Sequence, residues 1–402
     1  MPTTLRARDR VATRWNSLPG WAAALVIFGA SRLISTALLG ILFAVATGNG
    51  WPFASYRRNA NFFTFSGSWD GSAYRIIGEQ GYPVDLPVDG AGHVAHTVWA
   101  FLPLYPRLVA SIAAATGLDF YLVGTLVSTI FGALASIALY ALLAGRIDRA
   151  GALWAVTLFT VGPFAFLLQV AYAESMFLFL LFGALWAMVR RRYLVVAALG
   201  VLAAFTRPGA LAIPLALGIL FVLRWRESRK PGAEPFPVAE RVRMAAAAAL
   251  VAAAGLAWTG IAAAVTGRSD AYLASELAYW SALVGHQAFV PFAPWFLLAS
   301  RYLGWIGVIL VLAVAGVTAW YLTRRRLRML GPEIIAFSAS YALYLFAVFL
   351  PQQSIFRLML PLAPLLGDPA LRRSRRSRVA IVTCCVLAQA VAIVVLWLLS
   401  FP

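Results

Sequence analysis

Apolar runs of about twenty residues recur along this chain, and most of them end in arginines. The hydrocarbon layer of a bilayer is about 30 Å thick and needs about twenty apolar residues per helix. Runs at 21–46, 120–143, 244–265 and 379–399 meet that length without a charged interruption, except for Arg32 in the first. A soluble domain has no interior large enough for a chain that is 62% hydrophobic and 12% charged, with mean hydropathy +0.82. The sequence therefore predicts an all-α polytopic membrane protein, a single domain over 1–402 with about 11 spans. The expected spans are 20–46, 120–143, a hairpin within 151–189, a hairpin within 193–223, 244–265, 302–323, 333–350, 358–367 and 379–399. The first run is longer than the roughly 7–15 residues of a signal-peptide core, so it reads as an uncleaved span.

The net charge of +18 would suggest nucleic acid in a soluble protein. Here its placement decides otherwise. Six clusters, at 6–14, 146–149, 190–192, 224–243, 324–328 and 372–378, hold 24 of the 33 Lys and Arg residues. They fall between apolar runs, where the positive-inside bias puts cytoplasmic loops. That assignment puts the N-terminus in the cytoplasm and the C-terminus outside, with anionic lipid as the acidic partner and no nucleic acid. The two cysteines, Cys384 and Cys385, are adjacent on one expected helix and cannot form an ordinary bridge. The Ala- and Arg-rich composition suits a bacterial plasma membrane.

Two long loops fall on the exterior side, 47–98 and 267–301. The first is aromatic and rich in Gly and Pro, so it is expected to fold against the membrane. Within it, 70–80 reads as a short helix, with Asp70 as a possible N-cap, an apolar face of Ala73, Tyr74, Ile76 and Ile77 in the interface, and Gly81 as its stop. The hairpin within 193–223 has 31 residues, about 46 Å of helix against about 60 Å for two crossings. Its tip, Thr206-Arg207-Pro208-Gly209, is therefore expected below the outer surface. Arg32 lies near mid-depth and needs a carboxylate, a phosphate, water or helix-end carbonyls.

Soluble-type signatures are missing. There is no Gly-rich phosphate loop with Lys, no His-Glu-x-x-His and no Gly-x-Ser-x-Gly, and the three histidines lack metal-ligand spacing. His93 and His96 read as a solvated loop pair. What remains is isolated acids and arginines on one side of the membrane: Asp70 in the first loop, Glu174 at a hairpin tip, and Arg207 and Arg357 at two others. Asp270 and Glu276 stand in the second loop. An acid facing two arginines can activate a hydroxyl and hold a phosphate.

Taken together these blocks resemble the PIG-V-type mannosyltransferases of the GT-C superfamily. The resemblance is carried by Trp69-Asp70 with Tyr74, Ile77 and Gly81-Tyr82, then Phe101-Leu102-Pro103-Leu104-Tyr105-Pro106. Tyr172-Ala173-Glu174-Ser175, Thr206-Arg207-Pro208-Gly209 and Arg357 with Pro361 follow in family order. It implies a GT-C-like bundle whose long first exterior loop carries interfacial helices. It also implies transfer of a sugar, usually mannose, from a polyprenyl-phosphate donor outside the cytoplasm. Asp70 matches the family's first-loop acid and would be the base, with Arg207 and Arg357 on the donor phosphate. Trp69, Tyr74, Tyr105 and Glu174 are then candidate substrate contacts. No cofactor is expected and no metal is required. The acceptor, whether glycan, glycolipid or protein, stays open. The alternative class is a lipid or solute transporter or flippase with Asp70, Glu174, Arg207 and Arg357 lining a path. It predicts ionisable residues at mid-depth in several spans, where only Arg32 qualifies.

Overall fold

A computed structural model describes residues 15, 17–51 and 60–399, so the 6–14 arginine cluster lies outside the described residues. Apart from one isolated bridge, Val88 to Val94, the regular structure among them is helical. The chain begins with α1 (Gly20–Gly48), followed by three helices too short to cross a bilayer: α2 (Phe62–Ser66), α3 (Asp70–Gln80) and α4 (Leu104–Thr116). Then come α5 (Phe120–Ala144), α6 (Arg149–Val161), α7 (Glu174–Val189), α8 (Tyr193–Ala204) and α9 (Ala212–Glu227). The second half holds α10 (Val238–Thr266), α11 (Ala271–Ala278), α12 (Ser281–Val284) and α13 (Ala293–Leu322). It ends with α14 (Pro332–Val348), α15 (Ile355–Leu358) and α16 (Arg375–Ile393). Among the described residues, six helical runs are long and apolar enough to cross a membrane: α1, α5, Pro208–Glu227, α10, α13 and Arg375–Leu398. The protein is a polytopic helical membrane protein.

Four more helices, α6, α7, α8 and α14, are apolar but shorter than a full crossing. α6 and α7 are largely enclosed by the bundle, while α8 and α14 keep one face exposed, with Leu194, Leu202 and Leu343 on it. α7 is apolar all round, as expected of a helix enclosed by others, and buries residues on every face from Glu174 to Met188. Charge pairs mark one end of the molecule. Arg146 meets Glu333 at 2.6 Å, Arg372 meets Asp148 at 2.8 Å and Arg326 meets Asp368 at 2.9 Å. Arg149 reaches the Leu18 carbonyl at 2.7 Å. The expected helix at 358–367 is corrected. Leu360–Gly367 is a 3-10 segment with Pro361 and Pro364 inside it, since each proline removes a donor that α-helix would need. This stretch leads back to the arginine end as bent 3-10 turns. Irregular backbone at membrane depth survives only when buried in protein, and Pro361, Ala363, Pro364 and Gly367 are buried.

α6 stops at Val161, where Gly162 and Pro163 break it, and a 3-10 turn (Ala165–Leu168) carries the chain on. The break strands carbonyls in the interior, and Arg32 on α1 satisfies them. Its guanidinium donates to Thr160 O at 2.8 Å and to Ala165 O at 2.7 Å, with Gln169 Oε1 at 3.3 Å. Of the partners open to this arginine in the sequence, helix-end carbonyls are the ones found. Arg32→Met keeps the apolar stem but orphans two buried carbonyls. It should cost about 1–3 kcal/mol for each and lower the melting midpoint in detergent; an unchanged midpoint would contradict this role.

Candidate active site

The loop before α3 sets the direction of Asp70. Gly67 lies so close to α5 that a Cβ there would stand 1.9 Å from the Tyr121 ring, so only glycine fits. Trp69 then takes φ 58°, ψ −117°, a conformation that a side chain makes costly by about 1–3 kcal/mol. Its ring is tied by Nε1 donating to the Trp397 carbonyl at 3.2 Å. Tyr172 braces the turn from below. Its hydroxyl accepts from the Asp70 N–H at 3.3 Å and donates to Ser68 O at 3.1 Å. Trp69, not Asp70, occupies the cap position, and no side chain caps the helix. The N-cap reading of Asp70 is therefore corrected. Asp70 stands in the first turn, where the helix dipole favours a carboxylate. The apolar face also differs in phase. Gly71, Tyr74 and Ile77 are buried against the protein, while Ile76 points outward.

Four charged side chains from distant segments meet beside that carboxylate. Arg357 Nη1 donates to Asp70 Oδ2 at 2.5 Å and lies 3.4 Å from Glu174 Oε1. Arg207 Nη1 donates to the same Glu174 oxygen at 2.7 Å. All four are largely enclosed, with side-chain exposures of 4–15%. Each is aimed by a break in regular structure. Glu174 opens α7, immediately after the irregular turn 169–173. Arg207 precedes Pro208, which forbids helical geometry at the preceding residue; its backbone is extended at φ −153°, ψ 146°. Arg357 sits on the single turn α15, steadied where the Tyr341 hydroxyl donates to Leu358 O at 2.8 Å. Glu174 Oε2 and Arg357 Nε are buried with no hydrogen-bond partner among the described residues, so the cluster keeps unused binding capacity.

A cavity of about 360 Å³ opens on this cluster. Asp70, Tyr74, Arg207 and Arg357 line it, and residues 272–280 of the second long loop form another wall. Of the other predicted contacts, Glu174 sits behind the two arginines, not on the cavity surface. Trp69 is also off that surface and supports the turn. Tyr105 is fully buried, and its hydroxyl is bonded to Gly124 O at 3.0 Å and Ser128 Oγ at 2.8 Å. It supports Tyr74, ring to ring at 5.3 Å, instead of reaching a substrate.

One acid on the cavity wall is not among the predicted site residues. Glu276, on α11, lines the cavity and accepts a hydrogen bond from Tyr272 at 2.9 Å. Burial pushes its carboxyl up to about 7. The i, i+4 spacing of Tyr272 and Glu276 was the available signal, but nothing in sequence tells which side of α11 faces the cavity. His93 and His96 are exposed, as a solvated loop pair should be, but they also make contacts across the loops. Their rings stack on His286 and Tyr279 of the second loop, at 3.9 and 4.4 Å. As a chemical device the cluster can take an anion, since the two guanidiniums that face its carboxylates are also the donors a phosphate would use.

The fold and the site thus define an integral membrane protein with a buried acid–arginine cluster opening on a cavity. No protein family and no curated protein matches the sequence. Among solved structures, the oligosaccharyltransferase of Archaeoglobus fulgidus is similar over 92% of this chain, at 15% identity and a TM-score of 0.38. The chain spans about half, 51%, of that protein's length.

Glu276 provides a pH test. Its folded value near 7 stands above the ordinary 4.5, so the folded state holds this proton longer than the unfolded state does. The resulting stabilisation is complete below about 4.5 and is lost as pH rises towards 7. Against Glu276→Gln, which cannot ionise, the wild type should lose melting temperature across that window. A pH-independent difference between the two would contradict the assignment.

Proposed function

We propose that this protein is a membrane glycosyltransferase of GT-C type. In this reading it moves a sugar, mannose by family resemblance, from a polyprenyl-phosphate donor to an acceptor hydroxyl, with inversion. The reaction takes place on the extracytoplasmic face of a bacterial plasma membrane. The observation that carries the reading is the convergence of Asp70, Glu174, Arg207 and Arg357 at one cavity, from four segments of sequence. A carboxylate beside two guanidiniums is what transfer from an anionic lipid carrier requires.

The geometry also suggests an order of events. Without donor, Arg357 is bonded to Asp70 at 2.5 Å and occupies a carboxylate oxygen. An arriving phosphodiester competes for Arg357 and Arg207 and thereby releases Asp70. Asp70 then takes the acceptor proton as the acceptor oxygen attacks the anomeric carbon. The bond from that carbon to the phosphate oxygen breaks, and the electron pair leaves on polyprenyl phosphate. The two arginines offset the charge that grows there. No separate acid is needed, because the phosphate is a competent leaving group. Glu174 holds both arginines in place. Glu276, whose carboxyl burial pushes up to about 7, repels an incoming anion less than a fully ionised carboxylate would. The transporter reading loses its one supporting residue, since the Arg32 guanidinium is engaged by the Thr160 and Ala165 carbonyls.

Asp70→Asn in purified protein, given a polyprenyl-phosphate sugar and a panel of glycan, glycolipid and peptide acceptors, should lower transfer by about 10²–10⁴-fold. Donor binding should be retained and the protein should stay folded at the assay temperature, with a lower melting temperature because Arg357 loses its charged partner. Unchanged transfer would remove Asp70 as the base.

A further inference from the structure

The two long loops are joined above the cavity by histidines that stand far apart in sequence. In the first loop, Val88 bridges Val94, and the Asp89 N–H donates to His93 O at 2.8 Å, making a tight turn. Asp89 Oδ1 accepts from the N–H groups of Ala91 and His93, both at 2.9 Å, which fixes the side chain. Its other oxygen, Oδ2, then lies 3.5 Å from His93 Nδ1 and 3.5 Å from His286 Nε2. All three ligand atoms lie within 4.8 Å of one another. A tetrahedral ion with bonds of about 2.0–2.1 Å keeps its ligand atoms about 3.4 Å apart. Both carboxylate–imidazole separations match that edge.

We propose that Asp89, His93 and His286 form a divalent-metal clasp between the loops, taking Zn²⁺ or a borderline transition ion of similar chemistry. Two imidazoles and a carboxylate are a common donor set for such ions and leave a further position for water. The imidazoles stack with an interplanar angle of 14°, so an ion in the plane of both needs one ring to swing. Side-chain exposures of 50% for His93 and 45% for His286 leave room for that rotation. The clasp closes on the cavity wall, since Trp280 and Phe289, on either side of His286, both line the cavity. His96, whose Nε2 donates to the Ala278 carbonyl at 3.1 Å, is a second fastening between the same loops but lies outside the ligand set.

The test uses the full chain in detergent, with any affinity tag removed, titrated with Zn²⁺ against a chromophoric chelator and with no sugar donor present. One saturable equivalent is expected. His93→Ala and His286→Ala should each weaken it by about ten-fold or more. Asp89→Asn should weaken it too while keeping the Oδ1 acceptor that holds the turn, and His96→Ala should leave it unchanged. No saturable equivalent, or one indifferent to His93 and His286, would overturn the clasp. Because binding is measured with metal alone, its failure leaves the glycosyltransferase reading untouched, and the reverse holds as well.

Discussion

Moving a carboxylate or a guanidinium out of water costs several kcal/mol per ion, and removing one partner of a buried pair costs about 3–5 kcal/mol. Asp70, Glu174, Arg207 and Arg357 are all largely enclosed, and they are linked as a chain of contacts at 2.5, 3.4 and 2.7 Å. None of them is accommodated without the next. The strained turn at Trp69, the start of α7, the extended residue before Pro208 and the single turn α15 must therefore arrive at one place. The bundle around them satisfies that demand, and its short helices follow from it. α7 begins at the cluster instead of at the full width of a bilayer, and α8 ends three residues before Arg207, whose guanidinium stays enclosed.

Much of this was legible because membrane constraints are written in composition and length. Apolar runs located α1, α5, α10 and α13, although α13 begins nine residues earlier than expected, bent at Gly304. The shortage of residues in 193–223 placed Arg207 below the surface, and the proline after it supplied the break. The family resemblance selected four residues that do converge. What escaped was of a different kind. Two prolines in 360–367 argued against α-helix, yet the run's hydropathy outweighed them. The positive φ at Trp69 has no signature in a bulky aromatic. Tyr105 looked like a substrate contact because sequence does not say which way an aromatic points within its loop. His286 is 193 positions from His93, so only tertiary structure brings their rings to 3.9 Å.

The two long loops were harder to read than the spans because no hydrocarbon thickness fixes them. Turn chemistry was readable at Gly81, but the docking of one loop on the other was not. That docking places Glu276 beside the arginines and gives the cavity its second wall. A carboxyl held near neutrality and an acid–arginine cluster then face each other across about 360 Å³.

The 3-10 segment Leu360–Gly367 has a mechanical meaning beyond its shape. At about 2.0 Å per residue its eight residues cover about 16 Å. It connects Arg357 at the cavity to Asp368, which Arg326 and Tyr321 grip at 2.9 and 3.0 Å near the opposite end. The segment behaves as a strut of fixed length with a bolt at each end. One residue added to it would turn everything beyond by about a third of a revolution, so the reach of Arg357 is gauged by a latch at the other end of the strut.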